Sequence, residues 1–143
     1  MLEKVYDKLQ PDAKIAVLDT LRTLLKQKQE ILFAYLHGSF AQDSRFRDID
    51  LALYLKDMPS SPLEYELAME TAFAKTEAGY PVDVRILNCA PLSYKYHVIK
   101  DGMPLIVNND DERSDFVEAT LSQYFDFAQF RKLYLKETLG IGA

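Results

Sequence analysis

Tyr35-Leu36-His37-Gly38-Ser39-Phe40-Ala41-Gln42-Asp43-Ser44-Arg45-Phe46-Arg47-Asp48-Ile49-Asp50-Leu51-Ala52-Leu53-Tyr54-Leu55 reads as an apolar strand, a Gly-Ser turn, a short polar connection and a second strand. The first strand begins at Ile31, and its apolar run ends at Leu36. The second, Asp48 to Leu55, alternates: Ile49, Leu51, Leu53 and Leu55 fall on one side, and Asp48, Asp50, Ala52 and Tyr54 on the other. That is the pattern of a half-buried strand. About eleven residues join the two strands. A parallel crossover needs a dozen or more, so antiparallel pairing is expected.

Outward from this unit, Ile15, Leu18, Leu21, Leu24 and Leu25 recur at helical spacing and predict a helix from Pro11 to about Lys28. Ser61-Pro62-Leu63-Glu64 has the form of a capping box with proline at the first helical position, opening a helix that should stop at Gly79. Val82, Val84 and Ile86 alternate with Asp83, Arg85 and Leu87. The connection from Tyr54 to Val82 is long enough for a crossover. A short helix after Pro91 should end near Gly102, Leu105 to Val107 reads as a brief strand, and Glu112 to Glu137 reads as one long helix. The expected fold is α/β (α+β), a small mixed β-sheet with flanking helices and a long C-terminal helix, in a single domain spanning 1–143.

Residues i and i+2 of a strand share a face, roughly 6.5–7 Å apart. Asp48 and Asp50 therefore project together, and two carboxylates so placed repel unless a cation lies between them. Mg²⁺ suits them, because it takes oxygen ligands and keeps positions for phosphate oxygens and water. Asp83, a charge in an otherwise apolar strand, is the candidate third ligand of a two-metal site, provided its strand lies beside Asp48–Leu55. Taken alone it also reads as a salt-bridge partner of Arg85. A glycine at the end of a strand lets the backbone approach a phosphate. Gly38, the Ser39 hydroxyl and the backbone of a short helix from about Phe40 to Ser44 are candidate phosphate ligands. Arg45 and Arg47 lie close enough in sequence to contact phosphate or to face water. Alone, each element has a bland reading: a solvated strand start, a plain turn, an ion pair. Together, in this order, they point to a nucleoside triphosphate and divalent metal.

Composition sets limits on this reading. The chain has 143 residues, 48% hydrophobic, with net charge −5 and one cysteine. An acidic surface argues against strong non-specific nucleic-acid binding but not against a metal-held nucleotide. Cys89 has no intrachain disulfide partner, no run approaches the roughly 18–20 apolar residues of a membrane span, and the N-terminus does not read as a signal peptide. A cytoplasmic protein is expected.

Gly38-Ser39, Asp48-Ile49-Asp50-Leu51 and Asp83 resemble the signature of the DNA polymerase beta-like nucleotidyltransferase superfamily. The length and the tail, from Val82-Asp83-Val84-Arg85-Ile86-Leu87-Asn88 through Ala90-Pro91-Leu92 to the long aromatic helix, resemble its minimal nucleotidyltransferases. These are the MNT antitoxins of HEPN/MNT toxin–antitoxin pairs. The resemblance implies transfer of AMP from ATP, with pyrophosphate leaving, to a tyrosine hydroxyl of a HEPN-family RNase toxin, which silences it. It implies two Mg²⁺ ions, with Mn²⁺ as the alternative, held by Asp48, Asp50 and Asp83. Asp83 would serve the incoming hydroxyl, and Gly38 and Ser39 would hold the leaving phosphates. Eight residues separate Gly-Ser from Asp48, where many members have ten, and Gln42-Asp43 stands where Arg-Gly often follows. Phosphate contacts should differ there.

Other readings compete with this one. A binding module would neutralise its toxin by occlusion without transfer. A small-molecule nucleotidyltransferase would ordinarily carry an added acceptor domain. His37 reads as a structural hydrogen-bonding residue, His97 as surface, and Cys89 as a buried or half-buried thiol. On the last helix, Val117, Leu121, Tyr124, Phe125 and Ala128 form one stripe and Phe116, Thr120, Phe127 and Tyr134 another, wider than the roughly 100° that a surface helix buries. Either the helix packs deeply on the sheet, or it offers a surface to the toxin or to a second copy.

Overall fold

β1 (Ile31–His37) lies at the centre of the molecule and pairs antiparallel with both β2 (Ile49–Leu55) and β4 (Met103–Val107). β2 pairs in parallel with β3 (Val82–Ile86), so the sheet order is β3-β2-β1-β4. The computed structural model describes residues 4–139. The helices are α1 (Pro11–Lys26), α2 (Gly38–Ala41), α3 (Pro62–Ala74), α4 (Leu92–Asp101) and α5 (Asp110–Leu139). The mixed sheet, the antiparallel first pair and the crossover through α3 match the sequence reading.

Both faces of the sheet are covered. Val17, Leu18, Leu21 and Leu25 of α1 and Met69 and Phe73 of α3 pack on Ile31, Leu36, Ile49, Leu51, Leu53 and Val84. On the opposite face Phe33, Tyr35, Ala52 and Leu87 pack with Val98 of α4 and Phe116 of α5. This second core corrects the half-buried reading of β2. Ala52 is fully buried, because α4 and α5 close over the central part of that face. The strand ends bearing Asp50 and Asp83 stay half-open.

Local chemistry explains the element ends. The Ser61 side chain accepts a hydrogen bond from the Glu64 amide at 3.3 Å, and proline opens α3, as the capping box predicts. α3 ends at Ala74 rather than at Gly79. The Thr76 hydroxyl donates to the Phe73 carbonyl and accepts from the Ala78 amide, so a side chain competes with the next helical turn. Gly79 serves the turn beyond, at φ +84°. α4 stops at Gly102, where a Cβ would lie 2.8 Å from the Leu36 carbonyl, so glycine here permits close packing onto β1. β4 begins two residues before its expected start, pairing Met103 with Leu36.

Two further expectations are corrected. Cys89 is exposed, in the turn that follows β3, rather than buried. α5 is not packed deeply along its length. Phe116 and Thr120 are buried, while Phe125, Phe127, Phe130, Leu133 and Tyr134 are exposed.

Candidate active site

The strand registers bring three residues into one row. His37 on β1 is opposite Asp50 on β2, and Asp50 is opposite Asp83 on β3. Side chains directly across neighbouring strands share a face, so the row projects from one edge of the α4/α5 side of the sheet. Asp48, two residues before Asp50, joins it. One carboxylate oxygen from each of Asp48, Asp50 and Asp83 lies within 4.8 Å of the other two. The convergence anticipated for these three residues is present because β2 and β3 are parallel neighbours in the required register.

Burial, reinforced by the Asp48 and Asp83 charges, pushes the Asp50 carboxyl up from 3.8 to about 7. The cluster is thus short of positive charge. Three carboxylates converging on one point form an oxygen donor set of the kind Mg²⁺ or Mn²⁺ accepts. The nearby cation Arg85 lies 3.6 Å from Asp83 and is itself well exposed. Asp83 thus stands in the acidic cluster and also faces Arg85.

Gly38 closes the site from below. It adopts φ +79°, and a Cβ there would fall on the Asp50 carboxylate. Glycine is therefore required twice over, for its backbone conformation and for space. Ser39, Arg45, Arg47, Asp48 and Asp50 line a cavity of about 380 Å³ together with Val5 and Phe46. All of the predicted phosphate-side residues except Gly38 meet there, and Gly38 and Ser39 line a second cavity with His37, Gln42 and His97. Arg45 is exposed and lies 3.5 Å from Asp7.

The shortened connection is held by the rest of the chain. Phe46 is buried, and Tyr6 and Phe46 exchange backbone hydrogen bonds of 2.8 and 3.0 Å. Lys14 on α1 pairs with Asp43 and donates to the Phe40 carbonyl, and this lysine holds the Asp43 carboxyl below its ordinary value. Gln42 donates to the Asp101 carbonyl at the end of α4. Gln42 and Asp43 thus brace the loop against α4 and α1. The expected short helix from Phe40 to Ser44 is a single turn, Gly38–Ala41.

His37 makes the structural hydrogen bond expected of it. Its Nε2 lies 3.0 Å from the Tyr94 hydroxyl, with the two rings edge to face. Burial lowers the His37 pKa, partly opposed by Asp83, while burial and then Asp83 raise that of Tyr94. A neutral imidazole carries one N–H, so the Tyr94 hydroxyl is the donor when that proton sits on Nδ1. Sequence reasoning missed Tyr94, which α4 delivers to the row of acidic residues. His97 is on the surface, 3.6 Å from Asp101.

The family model described as polymerase beta, nucleotidyltransferase, matches residues 19–112, which hold all four strands and the acidic row. No curated protein sequence matches significantly. A chain in the structure of a tri-AMPylated Shewanella oneidensis HEPN toxin in complex with MNT antitoxin superposes with TM-score 0.67 at 19% identity, covering 88% of this chain and 98% of that one. A toxin–antitoxin structure with AMP-PNP gives TM-score 0.64 at 22% identity, covering 85% of this chain and 98% of that chain. A chain of the MntA–HepT toxin–antitoxin structure gives 0.62 at 18%, covering 91% and 99%. At these identities the solved structures show a shared fold.

Proposed function

Because the chain belongs to the polymerase beta nucleotidyltransferase family, we propose that it transfers AMP from ATP to a tyrosine hydroxyl of a HEPN-family toxin and so acts as an antitoxin. The observation that carries this reading is the convergence of Asp48, Asp50 and Asp83 beside the Gly38-Ser39 turn. Support for the acceptor comes from the relatives: one structural neighbour is an MNT antitoxin complex whose HEPN toxin is tri-AMPylated, and another contains AMP-PNP. Among the described residues no helix is long and apolar enough to cross a membrane. A cytoplasmic setting, a single domain over 1–143 and two bound Mg²⁺ ions, with Mn²⁺ as the alternative, are parts of the same proposal.

Each residue then has a task. Asp48, Asp50 and Asp83 hold the metal, which when bound offsets phosphate charge and favours ionisation of the acceptor hydroxyl. Ser39 and the Gly38 backbone hold the leaving phosphates, and Arg45 and Arg47 add positive charge on that side. The acceptor oxygen attacks the α-phosphorus. One new O–P bond forms as the bond to the bridging α,β oxygen breaks, pyrophosphate departs with the electron pair, and the hydroxyl proton passes to the Asp83 carboxylate and then to water. The protein contributes mainly position and electrostatics.

Labelled ATP, Mg²⁺ and a HEPN-family partner protein provide the test. Wild-type protein should label the partner, and Asp48→Asn/Asp50→Asn should reduce labelling by about 10²–10³-fold or more. No label, with toxicity still neutralised by the double variant, overturns transfer in favour of neutralisation by occlusion.

A further inference from the structure

Arg85, Ile86, Ala90, Pro91 and Tyr94 line a cleft of about 330 Å³, and Arg85 places it beside Asp83. It shares no lining residue with the cavity of Ser39, Arg45, Arg47, Asp48 and Asp50. We propose that this cleft is the acceptor subsite, and that it receives the phenol ring of the partner's tyrosine between the Tyr94 ring and the Arg85 guanidinium. The inference rests on the transfer reading and adds the protein residues that select and aim the acceptor.

Three observations carry it. The first is direction. Attacking and leaving oxygens lie roughly in line across the transferred phosphorus. With the leaving phosphates on the Ser39 side, the hydroxyl must arrive from the side of Asp83. Arg85 reaches to 3.6 Å from the Asp83 carboxylate, so the cleft adjoins that edge of the triad.

The second observation is chemistry. Ile86, Ala90 and Pro91 supply apolar walls, Tyr94 an aromatic face and Arg85 an exposed cation. This set matches a flat ring with one polar end: apolar contact and stacking hold the ring, and a guanidinium over its face adds cation–π attraction. It offers little to a triphosphate, because its one cation already faces Asp83. The third observation is preorganisation. The Tyr94 hydroxyl is already engaged by His37 at 3.0 Å, and that bond fixes the orientation of the ring that forms the wall. Tyr94 therefore presents its ring face as a fixed wall, with its hydroxyl already engaged.

The test is steady-state AMP transfer to the intact HEPN partner, with the partner and ATP varied separately, alongside Mg²⁺-ATP binding by calorimetry. Tyr94→Ala should raise KM for the partner by about 10-fold or more, as loss of a buried aromatic anchor does. Tyr94→Phe, which keeps the ring, should recover most of that loss. Ala90→Phe fills the cleft without touching the triad, and it keeps the test valid if Tyr94→Ala does not fold. It too should raise the partner's KM, with ATP affinity within about twofold of wild type. Weakened ATP binding in Ala90→Phe with an unchanged partner KM would give the cleft to the nucleobase and overturn the proposal. Unchanged values for both substrates in folded Tyr94→Ala and Ala90→Phe would also overturn it. Absence of transfer by the wild type is a different result, since it removes the function itself and this subsite with it.

Discussion

Asp50 carries the electrostatic tension of the site, and that tension is open to measurement. In the unfolded chain its carboxyl loses a proton near 3.8; in the folded protein, burial and the neighbouring aspartates hold the proton to about 7. Between those values the folded state binds more protons than the unfolded state, so metal-free stability should fall as pH rises from about 4 to 7. Asp50→Asn removes this titration. Thermal unfolding in chelator should therefore show a smaller loss of Tm across that window in the variant than in the wild type. Added Mg²⁺ should raise wild-type Tm more at pH 8 than at pH 5, because protonated Asp50 is a poor ligand. A wild-type Tm that climbs steadily from pH 4 to 7 in chelator would contradict the assignment. At this scale the triad was legible, since the i, i+2 spacing of Asp48 and Asp50 and the isolated charge at Asp83 need only strand alternation. Tyr94 was not, because its bond to His37 spans 57 residues and depends on where α4 is set down on the sheet.

β3 sits at one edge of the sheet, where unpaired backbone groups are a liability. Two glutamates of α3 cover that edge. Glu70 accepts from the Val84 amide at 2.8 Å and Glu66 from the Ile86 amide at 2.9 Å. A helix spacing of four residues thus meets a strand spacing of two. Each carboxylate replaces a partner strand, and each lies on the strand that presents Asp83. Glu66→Ala and Glu70→Ala should each cost about 1–2 kcal/mol in urea unfolding, near the low end for a hydrogen bond to a charged group because both side chains are partly exposed. Glu70→Ala should cost the transferase more activity than Glu66→Ala, because Val84 adjoins Asp83. A change under about 0.5 kcal/mol in both variants would return the two residues to the ordinary surface class. Sequence pattern located α3 through its capping box and β3 through its alternation, since both signals are local. It overran the end of α3, because Thr76 bonds back to the Phe73 carbonyl before Gly79 is reached. It also missed the glutamate edge, because charges on a helix read as solvated until the neighbouring strand is known.

The whole molecule is asymmetric: a three-layered domain, with helices on both faces of the sheet, from which the second half of α5 projects. The sequence left α5 between deep packing and partner binding, because a wide apolar stripe looks the same in both cases. The structure removes the first alternative beyond Thr120. Phe125, Phe127, Phe130, Leu133 and Tyr134 are 53–67% exposed on this arm. At 1.5 Å per residue the helix from Phe125 to Leu139 extends about 22 Å. An isolated helix of that length is marginal in water, and its aromatic stripe adds nothing to stability while uncovered. Under the proposed function the surface that covers it belongs to the HEPN partner, which would be held on the arm while its tyrosine enters the site. Combined Phe127→Ala, Phe130→Ala and Tyr134→Ala should then leave the domain's unfolding free energy within about 0.5 kcal/mol of wild type, as expected for exposed positions. The same variant should no longer co-elute with the partner in gel filtration. It should still bind Mg²⁺-ATP, because the acidic row lies on β2 and β3, away from the arm. Loss of a self-associated species by the variant alone, with partner binding intact, would assign the arm to a second copy of this chain. Unchanged behaviour in both assays would mean that the exposed aromatics serve neither contact, and that the toxin docks on the sheet domain itself.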